Sequence, residues 1–465
     1  MINKKPNIII SVPLVWSVRN FILSGIKDDL ENYYNIYYFI PANVEEVLLR
    51  YNISSEKIFS TPDINRSKIS KILYSMQKAV FQNIFKISTY SIFNKPQFAQ
   101  YKKSKNFKLK LYYFLVALFS IKIFKKFLNA LDNFFFDILI DKSIQLKLKN
   151  INPLFCLSTC CVSSTEWPLL RAIKKNNIKI IAHILSFDNI TSRGYEPIDY
   201  FDKYFVWNKK MKSELIRFYN IDSDKIKITG TPQFDFHLKK QFELKKTYVL
   251  KEAGLQKTDY ILYCANHFAL TPNEPALFDN IIKQLKKNNY DSDFDVILRL
   301  HPMDKYERWE NIINEHDNVY LNKPWEEYNT NFYNWGLPTK DDIILYSNLI
   351  KHSSVVLTIA STVSIDAAVL DVPVICLGFH PDPKYIEEGR FYYNMHISDH
   401  YKDITEIGSI DLIKDENSFI EIFEKNIKNR NRHSKKRLKL VSHFFSKKTL
   451  GKSSDLIVEK LIQEN

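Results

Sequence analysis

Glycine is scarce in this chain, with nine in 465 residues. No glycine-rich loop of the P-loop or dinucleotide type is present, which argues against simple ATP or NAD binding. Cysteine is rarer still, with five. Cys156, Cys160, Cys161, Cys264 and Cys376 are dispersed, odd in number and free of any CxxC spacing. They read as buried free thiols in a reducing cytosol, not as zinc ligands. The apolar run Asn7 to Val12 is too short for a signal peptide, so secretion is not expected. Leu111 to Ile121 is the core of a second apolar stretch, about half the roughly 20 residues a bilayer span needs.

What is present points to two cores. The length suggests two domains, and a hydrophobic content of 45% can fill both. The net charge of +14 calls for an anionic partner: nucleic acid, an anionic bilayer or a phosphate-bearing substrate. Lysine and asparagine are abundant throughout, as an AT-rich genome would produce, and that accounts for part of the charge.

Strand-like runs at Asn7 to Pro13 and Ile36 to Ile40 enclose a helix over Ser17 to Leu30, a Rossmann-like opening. From about 53 to 148 the pattern becomes helical and rich in Lys, Phe, Tyr and Ile. Here basic residues flank the apolar core Leu111 to Ile121, which reads equally as a helix packed on the domain or as an in-plane interfacial helix. Strands return at Leu154 to Ser158, Ile178 to Leu185, Tyr204 to Val206 and Lys225 to Thr229, with helices between them. A hydrophilic linker over Leu238 to Lys246 precedes a second series. Its strands are Tyr260 to Cys264, Asp295 to Leu300, Ser354 to Ile359 and Val374 to Leu377. The tail Lys425 to Lys439 is strongly basic, and an amphipathic helix over Ser453 to Ile462 closes the chain. The expected division is 1–240, with a helical insert at about 53–148, then 247–440, then a closing segment, 441–465.

Three pieces recur in this order in a known family: Asp188-Asn189-Ile190-Thr191, Val206-Trp207-Asn208, and Ile228-Thr229-Gly230 through Phe234-Asp235. With them the chain resembles bacterial surface-polysaccharide glycosyltransferases of the B-type fold, and is similar to CDP-glycerol polymerases and to Kdo- and sialyltransferases. The resemblance implies an α/β protein of two facing Rossmann-like domains. It also implies transfer from a nucleotide-sugar donor to a glycan or glycolipid acceptor at the cell surface. In such enzymes a closing helix commonly returns to the first domain.

Open α/β sheets bind ligands beyond the carboxyl ends of their strands. Arg299 and His301, in Arg-Leu-His-Pro, end one strand of the second series. Ser361 and Thr362 begin a helix after another, where N–H and hydroxyl donors suit a phosphate. Each residue alone reads as a cap or a loop residue; together they read as a donor-phosphate site. Asp366, four residues into that helix, is a candidate for ribose hydroxyls or a helix-dipole residue. Asn266 and His267 follow the first strand of this domain and are candidates to touch the nucleotide. The His-Pro pair with the downstream Ser/Thr helix start resembles cytidine-nucleotide enzymes, which leans toward CMP or CDP over UDP.

On the acceptor side, Asp188 is the first choice of general base. Glu166 is the second, with helix capping as its plain alternative. Arg19, Asn189 and Arg193 are candidate acceptor ligands, and His183 reads as a core residue. The pairs Asp222/Asp224 and Asp291/Asp293 sit in polar turns, so no metal is expected and no cofactor beyond the donor itself. The leading reading is a cytoplasmic or membrane-peripheral glycosyltransferase, possible partners including the anionic inner membrane surface. Polyol-phosphate transfer from a CDP-linked donor and nucleotide-sugar 2-epimerisation are the enzyme alternatives. A basic nucleic-acid-binding or scaffold protein is the non-enzyme one, opposed by scattered basic residues and no nucleic-acid module.

Overall fold

The computed structural model describes residues 5–42, 44–61, 67–92, 107–137, 142–192, 201–326 and 337–464. The chain divides into two compact units, Met1–Thr231 with Ser454–Asn465, and Pro232–Ser453.

The first unit holds a parallel sheet of β1 (Asn7–Ser11), β2 (Asn35–Pro41), β3 (Ile58–Thr61), β4 (Phe155–Ser158), β5 (Lys179–His183), β6 (Lys203–Val206) and β7 (Ile226–Ile228). Their order is β3-β2-β1-β4-β5-β6-β7. Ile8, Ile9 and Ile10 of β1, and Phe155, Cys156 and Leu157 of β4, are fully buried. Continuous apolar runs covered on both faces are what a parallel sheet between helix layers requires.

The second unit repeats the principle with β8 (Asp259–Cys264), β9 (Phe294–Arg299), β10 (Val319–Asn322), β11 (Val355–Thr358), β12 (Val374–Leu377) and β13 (Asp411–Ile413). The order is β10-β9-β8-β11-β12-β13, and all neighbours are parallel. Cys264 lies opposite both Arg299 and Thr358, and Thr358 lies opposite Cys376, so four strands end level. The α/β architecture of two doubly wound sheets agrees with the sequence.

The expected first helix is broken. A short turn at Val15–Ser17 runs into a wide π-type turn at Val18–Ile22, and Gly25, at φ +98°, separates these from Ile26–Glu31. That left-handed φ is cheap only for glycine. Strands β3, β10 and β13 have three or four residues each, too short for a period to show. Residues 238–246 are held in the second unit, where Asn348 donates to the Phe242 carbonyl and accepts from the Leu244 N–H. The tail arginines are tied down as well. Arg432 pairs with Asp411, Arg437 with Asp371, and Arg430 donates to the Ser353 and Lys351 carbonyls.

The insert forms helices over Lys68–Phe85, Phe107–Phe119, Lys122–Asp137 and Lys142–Ile151. The first three share a small core of Met76, Ala79, Val80, Val116 and Leu128. The closing helix, Ser453–Ile462, is fastened to the first unit: Tyr34 Oη donates to the Leu461 carbonyl at 2.8 Å, and Glu464 pairs with Lys179 and Lys203. Among the described residues no helix is long and apolar enough to cross a membrane.

Candidate functional site

In the second sheet the strand order reverses between β8 and β11, which opens a crevice beyond their carboxyl ends. Asn266 sits at its floor. Its N–H donates to both oxygens of the buried Glu274 carboxyl, and its Nδ2 points to Thr358 Oγ1 at 3.5 Å. Thr358 in turn donates to the Cys264 carbonyl at 2.9 Å and joins the two strand ends.

Two imidazoles stand over this floor, His267 after β8 and His301 after β9, with ring centres 5.3 Å apart. Both are fixed in the same way. The backbone N–H two residues on, of Ala269 and of Met303, donates to Nδ1 at 3.0 and 3.1 Å. An imidazole accepting at Nδ1 carries its neutral-state proton on Nε2, so each ring offers an N–H donor there. Desolvation, with the neighbouring His267, lowers His301 to about 3. His267 is lowered too, again mainly by desolvation. At neutral pH both are uncharged donors, able to meet phosphate oxygens directionally.

The two histidine loops are braced together. Arg308 pairs with Asp304 at 3.2 Å and donates to the Thr271 carbonyl at 2.7 Å, and Trp309 Nε1 donates to Asp304 at 2.9 Å. Glu274 also accepts from Thr271 Oγ1 at 2.7 Å and Tyr263 Oη at 3.1 Å. Burial pushes its carboxyl up to about 7 against the pull of these bonds.

Other expected donor ligands are turned into the fold. Arg299 makes a two-pronged pair with Asp342, both bonds 2.7 Å, and also donates to Asn322; only 6% of it is exposed. Its guanidinium locks β9 to β10 and to the helix Lys340–His352, which engages three of its five N–H groups. Asp366 accepts from Tyr346 Oη at 3.3 Å and lies 2.8 Å from His237 Nε2, whose Nδ1 lies 2.8 Å from Ser347 Oγ. It anchors these side chains, which leaves a ribose role without support in the geometry. Ser361 accepts weakly from the Val363 N–H at 3.4 Å, and Thr362 precedes the helix Val363–Val369 without a side-chain cap bond. Both are partly exposed beside the crevice.

In the first unit, Asp188 heads the turn Asn189–Ser192. It accepts from Ser186 Oγ and, at 2.6 Å, from Ser192 Oγ. Asn189 is buried and accepts from the Ser186 N–H, so it shapes the loop. Glu166 does not cap its helix. It turns inward, fully buried, and accepts from Ser158 Oγ at 2.8 Å. Burial raises it to about 7, opposed by bonds from Ser11, Ser158 and backbone N–H groups. No face of it is open to an acceptor. His183 is a core residue, edge-on to Phe21 and lowered to about 4 by burial. Arg19 lies over the Trp16 ring and donates to Asn20. Arg193 lies outside the described residues.

Sequence reasoning missed His237, Glu274 and His380. His380 follows β12 in Gly-Phe-His-Pro, a second His-Pro pair, and repeats the Nδ1 arrangement with the Asp382 N–H at 3.2 Å. Its Nε2 is already engaged by the Asn273 carbonyl. Beyond β12 and β13 lies an open cleft of about 700 Å³, walled by Phe379, Ile386, Arg390, Tyr393 and Asn394. The helix Ile386–His396 divides it from the histidine loops, with Glu388 on the other face bound to Asn273. The five cysteines are buried and unpaired with each other. Asp222 and Asp224 lie in a polar turn before β7, and Asp291 and Asp293 in one before β9.

No curated protein matches the chain in sequence. Among solved structures it is similar to the UDP-GlcNAc 2-epimerase of Neisseria meningitidis, bound to UDP-GlcNAc, with a TM-score of 0.55 at 15% identity over 98% of this chain and 100% of that one. It is also similar to the Methanocaldococcus jannaschii UDP-GlcNAc 2-epimerase in complex with UDP-GlcNAc and UDP, with a TM-score of 0.53 at 15% identity over 99% of each. At such identities the likeness is one of fold. The family model described as CDP-glycerol:poly(glycerophosphate) glycerophosphotransferase matches residues 183–463, which include the histidine pair and the helix start at Ser361. Over more than half its length the chain thus carries that pattern on two doubly wound sheets, and it belongs to this transferase family as a B-type enzyme of surface-polymer synthesis.

Proposed function

We propose that the chain transfers a polyol phosphate from a cytidine-diphosphate-linked donor to a hydroxyl of a growing surface polymer. The family match over 183–463 carries this choice over sugar transfer, the leading sequence reading. The histidine pair supports it, because two fixed, neutral Nε2–H groups side by side suit the oxygens of a pyrophosphate. In the reaction the acceptor oxygen attacks the distal phosphorus. The bond from that phosphorus to the bridging oxygen breaks, and CMP departs with the bond's electrons. The hydroxyl proton passes to a carboxylate, for which Asp188 is the candidate. His267 and His301 donate to the phosphate oxygens as negative charge grows on the leaving group. Ser361 and Thr362 lie beside that group as further donors.

The test is thermal stabilisation by CMP, CDP, UDP, GDP and dTDP, repeated with His301→Ala, followed by CMP release from CDP-glycerol in the presence of a polyol-phosphate acceptor. A shift with cytidine nucleotides that disappears in the variant, with acceptor-dependent CMP release, is the expected result. A shift confined to UDP would replace this reading with uridine-based sugar chemistry.

A further inference from the structure

Between Glu424 and Asp455 there is no Asp or Glu, and the same stretch contains eleven Lys and Arg. The fold engages five of them. Arg430, Arg432 and Arg437 are bound within the second unit, and Lys425 and Lys428 pair with Glu421 and Glu424, one helical turn back. Lys435, Lys436, Lys439, Lys447, Lys448 and Lys452 are left, all six exposed. Among the described residues none of the six forms an ion pair. The helix Ser434–Phe444 has no acidic residue in its first turn and carries Lys435 and Lys436 there. The positive end of a helix dipole disfavours cations. Lys439 stands four residues from Lys435, a like-charge pair that costs a helix about what a pair such as Glu421–Lys425 contributes. Local stability does not account for this pattern.

The inner side of this helix fixes its direction. Ser434 Oγ and Arg437 Nε donate to Asp371, which follows the far end of the helix Val363–Val369 and precedes β12. At the other end His443 Nε2 lies 3.0 Å from Asp403. Two residues before Asp403, Tyr401 Oη lies 2.6 Å from Ser364 Oγ, in the first turn after Thr362. The lysine helix therefore runs antiparallel to the helix that starts at the crevice. It rises from the amino ends of the strands to their carboxyl ends. Lys447 and Lys448 continue the row past Phe445, whose ring packs 4.6 Å from that of Phe234.

We infer that this lysine row is a track for a polyanionic chain, the phosphate-linked polymer that the proposed polyol-phosphate transfer lengthens; the inference rests on that reading. A polymer made by that transfer carries a negative charge on every unit, and a row of unpaired ammonium groups that ends level with the crevice complements it. Lysines one turn apart lie about 6 Å from each other along the axis, comparable with the reach between phosphates joined through a short polyol. Two other polyanions fit this face less well. A bilayer face needs several apolar side chains, and Leu438 is the one large apolar side chain that the described residues expose from 434 to 452. Single-stranded nucleic acid is held by aromatic stacking as well as by charge, and Phe444 and Phe445 are buried.

The experiment is fluorescence anisotropy of the full chain with labelled glycerol-phosphate oligomers, one long and one dimeric, over a range of salt. The long oligomer should bind about tenfold or more tighter than the dimer, and its affinity should fall steeply with salt. Lys435→Gln/Lys439→Gln/Lys447→Gln/Lys448→Gln should lose about tenfold or more for the long oligomer and show a shallower salt dependence. Lys425→Gln/Lys428→Gln, whose lysines are already paired, should bind like the parent. The fourfold variant should melt no lower than the parent and keep its thermal shift with CDP, so that lost binding is not lost fold. In turnover, the ratio of kcat/KM for the long acceptor to that for the dimer should fall about tenfold in the fourfold variant. CMP release by the parent with the dimer reads the donor chemistry separately: its absence counts against the transfer reading, whereas binding indifferent to oligomer length counts against the track. Equal losses in the fourfold and the control variants would overturn the inference. So would tighter binding of poly(U) RNA or of phosphatidylglycerol vesicles than of the long oligomer through the same lysines.

Discussion

At the first unit's switch point, between β1 and β4, Thr159 Oγ1 donates to the Ser11 carbonyl at 2.6 Å. At the second unit's, between β8 and β11, Thr358 Oγ1 donates to the Cys264 carbonyl at 2.9 Å. Each point also has a fully buried glutamate at the start of a proline-bearing helix: Glu166 before Trp167-Pro168, and Glu274 before Pro275. Both carboxyls are raised to about 7 by burial. Above this shared frame the two differ. The second unit presents His267 and His301 with defined Nε2 donors. The first keeps its histidine, His183, inside β5 and places Asp188 in a serine-bonded turn. The same topology thus stabilises two strand splits, and side chains two to five residues past the strand ends decide which becomes an anion site.

The comparison breaks most sharply in activity. If Asp188 is the acceptor-side base, Asp188→Asn lowers kcat by about a thousandfold while CDP still stabilises the protein. His301→Ala should lower kcat/KM by about a hundredfold or more and abolish the CDP shift, as expected for one lost donor to a developing charge. The opposite pairing of effects would exchange the roles assigned to the two units.

Arg299→Ala tests whether Arg299 belongs to the frame or to the site. It removes a buried partner from Asp342, at a cost of about 3–5 kcal/mol in unfolding free energy. CDP should still stabilise the variant by the same increment at a temperature where it is folded. Loss of the increment with little change in stability would return Arg299 to the donor site.

That residue also shows where sequence runs out. Arg299 ends a legible strand, and its position was readable from the run of apolar residues before it. Its partners, Asn322 and Asp342, come from separate elements 23 and 43 positions later. Local patterning carries no trace of such a pair. Asp366 is the same case, with His237 supplied from 129 positions away. His301 was legible because its proline neighbour and strand-end position are local facts. Helices such as Trp167–Lys175 and Lys209–Tyr219 were legible because several turns repeat a period; β13, with three residues, repeats nothing.

The two buried glutamates give a pH-dependent comparison. Their folded pKa, about 7, lies above the ordinary 4.5. The stability tied to their neutral forms is therefore fully present below about pH 4.5 and is lost as pH rises through 7. His183 and His301 act in the other direction: lowered to about 4 and about 3, they favour the fold above about pH 6.5 and lose that contribution as pH falls. Glu166→Gln and Glu274→Gln should each flatten the loss between pH 4.5 and 7 by about 3 kcal/mol, read from denaturant midpoints across that window. An unchanged slope in both would mean that water reaches these carboxyls.

The smallest effect isolates the frame itself. Thr159→Val and Thr358→Val keep shape and remove one hydroxyl donor, each costing about 1 kcal/mol. If the frames are equivalent, the stability losses match. Thr358 also lies within reach of Asn266 Nδ2, at 3.5 Å, under the histidine pair, and Thr159 has no such site above it in the first unit's described residues. So Thr358→Val should also weaken CDP binding severalfold, and Thr159→Val should leave it unchanged. Equal CDP affinities in the two variants would mean that the floor of the crevice bears the strands alone and that the histidine loops hold their geometry without it.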